Sequence, residues 1–319
     1  MTDAIEYSGL SKTYGRGKDA LTAVRPTTLS VPWGQVIGLL GPNGAGKTTI
    51  IKMTAGLITA TAGGVRIGGH DIRRDRAEAV RLIGAVLEGS RNVYWPMSAW
   101  ENLMYFGRLK GLRGAEIRPR AQWLLAELGL WERRHQLVGG FSRGMQQKVA
   151  VAAALITDPQ ILLLDEPTLG LDVEAARTFK DWIARLARDE GKTIVLTTHQ
   201  LQVAQELSDR IAVIREGEII ADLPTAELLA RHAENRFEVR LDAPLDGLRA
   251  SIPDGATVSE DGIETRIVLP DADTRALYGF LDRLSDTGAP LTAVAKAQPS
   301  LEEIFIRLVH DELDEERTS

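Results

Sequence analysis

Gly41-Pro42-Asn43-Gly44-Ala45-Gly46-Lys47-Thr48 joins closely spaced glycines to a terminal lysine and hydroxyl, a combination suited to gripping phosphate. The segment closes the apolar run Val36–Leu40 and opens a helix-compatible stretch. In that strand-to-helix setting, backbone N–H groups turn inward around phosphate oxygens. Lys47 adds a point charge, the Thr48 hydroxyl is a ligand for Mg²⁺, and Thr49 completes the nucleotide-binding set. The expected ligand is a nucleoside triphosphate.

A second element narrows the chemistry. Ile161-Leu-Leu-Leu-Asp165-Glu166-Pro167 is an apolar strand ending in adjacent carboxylates, which strand alternation sends to different sides. Asp165 is placed to hold Mg²⁺, and Glu166 to address the water that attacks the γ-phosphate. In Phe141-Ser142-Arg143-Gly144-Met145-Gln146-Gln147, Ser142 reads as the N-cap of an alanine- and valine-rich helix. Such a helix start is either an anion site or simply a cap.

The elements that must position these residues alternate along the chain. Val36–Leu40, Ile83–Leu87, Ile161–Leu164, Thr193–Thr197 and Ile211–Ile214 are short strand-like runs separated by helical patterns, which predicts an α/β core with a mostly parallel sheet. From about 98 to 156 the periodicity is helical throughout (Trp100–Lys110, Arg120–Leu128, Ser142–Ile156), so a helical insertion is expected inside the core. Arg215–Ile220 reads as a hairpin-like end, Leu223-Pro224 as a break, and Thr225 as the cap of a short helix. Residues 1–224 and 225–319 are therefore expected to be separate domains, the second a small α+β module. That module reads as a strand over Phe237–Leu241, alternation over Thr257–Val268 around an Asp261-Gly262 turn, a helix over Thr274–Leu284 and a strand over Leu291–Val294. A capping box at Ser300-Leu-Glu-Glu303 precedes Ile304, Phe305, Leu308 and Val309.

With 319 residues, 44% of them apolar, the chain can bury a large core. It lacks cysteine, which excludes disulfides and thiolate zinc sites, and its five histidines form no ligand-spaced pair. No apolar run reaches the roughly 18 to 20 residues that span a bilayer, and the start lacks a secretion-signal pattern, so a cytoplasmic protein is expected. The net charge of −6 is uneven: residues 1–224 hold 28 basic and 24 acidic residues, and 225–319 hold 10 and 20. No basic stripe suits nucleic acid. The acidic run Asp311–Glu316 reads as a solvated end.

Gly41–Thr48, Phe141–Gln147, Ile161–Pro167, Gly170-Leu-Asp172 and Thr197-Thr-His199, in this order and spacing, resemble the nucleotide-binding subunit of an ATP-binding cassette (ABC) transporter over residues 4 to about 222. The resemblance implies a P-loop ATPase in which ATP is clamped between the phosphate loop of one subunit and the Ser142–Gly144 signature of a second copy. It implies that His199 contacts the γ-phosphate and holds the attacking water with Glu166, that Asp172 couples the two sites, and that Tyr14 stacks on adenine. It also implies a separate membrane permease met by the helical insertion and the Glu88 loop, with the chain peripheral at the inner face of the membrane. Glu88 stands where the family usually has glutamine and retains a metal-binding role in this reading. Arg143 stands where the signature usually has glycine, and either adds an anion contact or faces solvent. The C-terminal domain and the Pro299–Phe305 run resemble the drug, lipid and polysaccharide exporters. In that light the extra domain is a dimer-stabilising or regulatory module, or one that senses cargo. The alternative is a soluble cassette ATPase acting on ribosomes or DNA.

Overall fold

The computed structural model describes residues 2–89, 92–231, 236–270, 274–296 and 301–305. The chain forms two compact units, 1–225 and 226–319.

In the first unit, β1 (Ile5–Tyr14), β2 (Leu21–Val31), β3 (Val36–Leu40), α1 (Lys47–Thr54), β4 (Ala62–Ile67), β5 (His70–Asp71), α2 (Arg76–Arg81) and β6 (Ile83–Val86) lead into the helical insertion. The insertion consists of α3 (Ala99–Leu109), α4 (Gly114–Glu127) and α5 (Arg143–Leu155), joined by loops and short 3₁₀ turns. The core resumes with β7 (Ile161–Asp165), α6 (Val173–Arg188), β8 (Thr193–Thr198), α7 (Leu201–Leu207), β9 (Arg210–Arg215) and β10 (Glu218–Pro224), and α8 (Thr225–Arg231) follows.

Six strands form one sheet in the order β10-β9-β3-β8-β7-β6. All its pairings are parallel except the β9–β10 hairpin. Every residue of β3, β7 and β8 is buried, because the sheet has cover on both sides. Ile161 and Leu163 join the cluster containing Ile37, Leu39 and Val195, and their neighbours Leu162 and Leu164 join the one containing Leu196 and the helical insertion. The two-residue period of a strand thus serves two cores at once. Under the first cluster lies a second, antiparallel sheet, β2-β1-β4-β5, which strand patterning did not reveal. β1 carries register shifts against both neighbours, and Gly9 sits at φ +55°, so its apolar residues do not alternate cleanly.

Two boundaries differ from the sequence reading. Pro224 does not break the chain: it ends β10 opposite Arg210, at a sheet edge where a missing N–H is tolerated. Thr225 is the first residue of α8, and its hydroxyl donates to the Ser208 carbonyl at 2.5 Å.

The second unit contains β11 (Phe237–Asp242), β12 (Thr257–Asp261), β13 (Glu264–Leu269), α9 (Thr274–Ser285) and β14 (Leu291–Lys296), with sheet order β12-β13-β11-β14. Asp261 pairs with Glu264, so the tight turn is Gly262-Ile263, one residue later than read from the sequence. Val239, Leu241, Ile267 and Leu269 form a core with Leu277, Phe280 and Leu284 of α9. On the strands' alternate positions, Arg240 and Arg266 donate to Glu238. Burial alone would raise the Glu238 carboxyl, but the two guanidiniums hold it below its usual value. Ser300, Leu308, Val309 and the acidic run Asp311–Glu316 lie outside the described residues.

Gly84 sets how closely α5 lies on the sheet. A Cβ there would stand 2.5 Å from the Ala154 carbonyl oxygen and 2.9 Å from Pro159 Cγ. Gly84→Val is expected to destabilise the first unit by about 1–3 kcal/mol or more, seen as a lowered denaturation midpoint; an unchanged midpoint would show that the junction has slack.

Candidate nucleotide site

The phosphate loop connects β3 to α1, and its glycines are demanded by their surroundings. A Cβ on Gly41 would lie 2.2 Å from the Ile214 carbonyl oxygen, and Gly46, at φ +105°, would place one 2.3 Å from that of Ala23. Lys47, 6% exposed, donates to the carbonyls of Gly41 at 2.7 Å and Pro42 at 3.0 Å, so its ammonium bridges the loop's own backbone. Burial pulls its pKa below the ordinary lysine value, while Glu166, Asp165 and Glu88 act in the opposite direction.

Asp165 is 1% exposed at the end of β7. Its Oδ1 accepts from Thr48 Oγ1 at 3.1 Å and from Thr197 Oγ1 at 2.5 Å, and its Oδ2 from the Glu88 N–H at 3.4 Å. One carboxylate therefore ties together the first turn of α1, the end of β8 and the loop after β6. The Thr48 hydroxyl and the Asp165 carboxylate are oxygen donors of the kind a hard divalent cation selects.

Glu166 follows in a left-handed conformation, φ +50°, with its N–H donating to the Thr197 carbonyl at 3.0 Å and to Thr197 Oγ1 at 3.2 Å. The turn aims Glu166 away from Asp165 and towards His199, whose Nδ1 stands 3.0 Å from Glu166 Oε1. Next to this pair, Thr168 Oγ1 donates to Gln200 Oε1 at 3.1 Å. Thr197 is the residue that sequence reasoning missed. Its hydroxyl contacts both acidic positions, and the only sequence sign was a polar residue at the end of a buried apolar strand.

These residues surround a cleft of about 440 Å³ lined by Asn43, Gly44, Ala45, Gly46, Lys47, Thr48, Thr49, Glu88, Glu166 and His199, with Ala23 and Leu169. The other candidates lie outside this lining. Ser142 caps α5, accepting from the Met145 N–H at 3.3 Å, and Asp172 caps α6, accepting from the Ala175 N–H at 2.8 Å. Gly144 lets the two helices meet, since its Cβ would stand 3.1 Å from that of Ala175. Tyr14 is 40% exposed at the end of β1, with the Lys12 ammonium 5.0 Å from its ring centroid.

Comparison with known proteins agrees with this geometry. Residues 24–169 match the ABC transporter family, and residues 224–309 match the C-terminal domain of DrrA1-3-like ATP-binding proteins. The chain is 36% identical, over 99% of its length and 96% of the relative's, to the daunorubicin/doxorubicin resistance ATP-binding protein DrrA of Streptomyces peucetius. It is 41% identical over 68% of its length and 87% of the relative's to the ABC transporter ATP-binding protein NatA of Bacillus subtilis. Among solved structures, the dimeric post-hydrolysis state of the ATP-binding cassette MJ0796 bound to ADP and Pi matches with a TM-score of 0.63 and 28% identity, covering 69% of this chain and 98% of that one. The phosphate loop, the paired carboxylates and a relative matched from end to end make this chain a member of the ABC transporter ATP-binding proteins, an ATPase cassette followed by a DrrA-like C-terminal domain.

Proposed function

We propose that two copies of this chain close ATP between them and use its hydrolysis to drive export through a separate membrane permease. The observation that carries this reading is the composition of the cleft: one chain supplies the loop, Glu88, Glu166 and His199, with Asp165 bonded to Thr48 beside them, while Ser142 and Gly144 lie outside it. A γ-phosphate seated there is left open on its outer side, and the α5 N-terminus of a second copy has the N–H groups and dipole to cover it. ATP then becomes part of the interface, and its cleavage loosens the pair. The dimeric ADP-bound relative supports the pairing.

In this reading the loop N–H groups and Lys47 hold the phosphates, with Lys47 exchanging its carbonyl partners for phosphate oxygens. Thr48 and Asp165 hold Mg²⁺, with Glu88 at the edge of the site; the ion supplies positive charge against the phosphate oxygens. Glu166 accepts a proton from the attacking water, and His199 fixes the carboxylate through Nδ1. Asp172 sits beside the partner's nucleotide, and Tyr14 supplies an aromatic face for adenine.

We assign this work to residues 1–224 and an accessory role to 225–319. Among the described residues no helix is long and apolar enough to cross a membrane, in keeping with a cassette that sits at the cytoplasmic face beneath a permease from another chain. Exposed Tyr94, Trp95 and Tyr105, on and before α3, offer the permease an aromatic surface near the Glu88 loop. Relatives named for drug resistance support the outward direction. No observation favours ribosomes or DNA as the site of action.

Glu166→Gln is expected to retain ATP binding and accumulate an ATP-bound dimer on size-exclusion chromatography; a variant that stays monomeric and hydrolyses at the parental rate would refute the sandwich. Thr197→Val removes the short bond to Asp165, and kcat is expected to fall about tenfold or more, the effect of roughly 1–3 kcal/mol on a buried charged acceptor. Steady-state ATPase assays check this, and an unaltered kcat would show that Thr197 is only a strand residue.

A further inference from the structure

A second cleft, of about 400 Å³, lies behind the carboxylates and shares Glu88, Glu166 and Leu169 with the first. Its walls include Asp165 and, from the first turns of α5, Arg143 and Gln146. Two observations fix the direction of Arg143. It lines this cleft, and its guanidinium lies against Gly170, where a Cβ would stand 2.9 Å from Nη1. Gly170, at φ +74°, is therefore held to glycine both by its backbone and by the side chain above it.

Charge makes this placement informative. Glu88, Asp165 and Glu166 bring three carboxylates to the lining of this cleft. Lys47 feels the charge of all three, and Arg143 lines the same cleft as they do. Arg143 is also the first residue of α5, where the helix dipole disfavours a cation unless an anion answers it. Among the described residues the side chains of Arg143 and Glu88 make no hydrogen bond or salt bridge; Glu88 acts on Lys47 through its charge, and it lines this cleft together with Arg143.

We propose that Arg143 is a positioning residue for its own chain's carboxylates: from the start of α5 it answers the charge of Glu88 and Glu166 and steadies the Leu169–Leu171 loop, linking the helix that serves the partner's nucleotide to the acid that acts on its own. The proposal rests on Glu166 addressing the attacking water, as described above.

The test is a double-mutant cycle in the full chain. Arg143→Met is expected to lower kcat about tenfold while KM for ATP stays within about twofold, and in a Glu88→Gln background the same substitution should cost less than about threefold. Arg143→Lys, which keeps the charge, should retain kcat within about threefold of the parent. Equal losses in both Glu88 backgrounds, a lysine variant as slow as the methionine one, or a raised KM with kcat intact would each overturn the proposal, the last by pointing to contact with the partner's nucleotide. If Arg143→Met does not fold, Arg143→Gln completes the same cycle. Failure of Glu166→Gln to trap a dimer would count against the sandwich alone, because the Arg143–Glu88 coupling is read within one chain.

Discussion

The buried Asp165 carboxylate is the constraint on which the rest of the site depends. A charge at 1% exposure is tolerable only if its oxygens are answered, and the answers come from α1, β8 and the loop after β6. Each donor is backbone or a short hydroxyl, so the carboxylate fixes these segments to within the length of a hydrogen bond. The phosphate loop and Glu166 are neighbours of those anchors and are placed by them.

The parallel sheet makes that arrangement possible. Strands buried on both faces leave β3, β7 and β8 no freedom of register, because a one-residue slip would exchange their two cores. All three point their C-terminal ends at one edge, which is where the loop, the two acids and His199 emerge. The helical insertion packs into the core on one face of this sheet and the antiparallel sheet covers the core on the other, so the reactive edge lies between two differently built bodies.

Much of this was readable in the sequence. The glycine loop, the apolar strand ending in Asp165 and Glu166, and the caps Ser142 and Asp172 were local signals: the loop joins β3 to α1, the acids stand at the end of β7, and the two caps start α5 and α6. What escaped detection depended on distant partners. The bulged β1 lost its alternation because Gly9 and its register shifts interrupt the period. Thr197 looked like any residue of a buried strand, since its importance comes from Asp165, 32 positions away in the chain. The carbonyl partners of Lys47 and the seat of Arg143 on Gly170 were equally invisible, being set by where backbone turns meet side chains.

Glu166 holds a backbone conformation that glycine or asparagine adopts more readily, at φ +50°. A chain selected for durability alone would drift towards those smaller residues and gain stability. Asp158 and Glu216 share this conformation, so the cassette carries the cost at three positions, and under the proposed mechanism at one of them it falls on the acid that addresses the water.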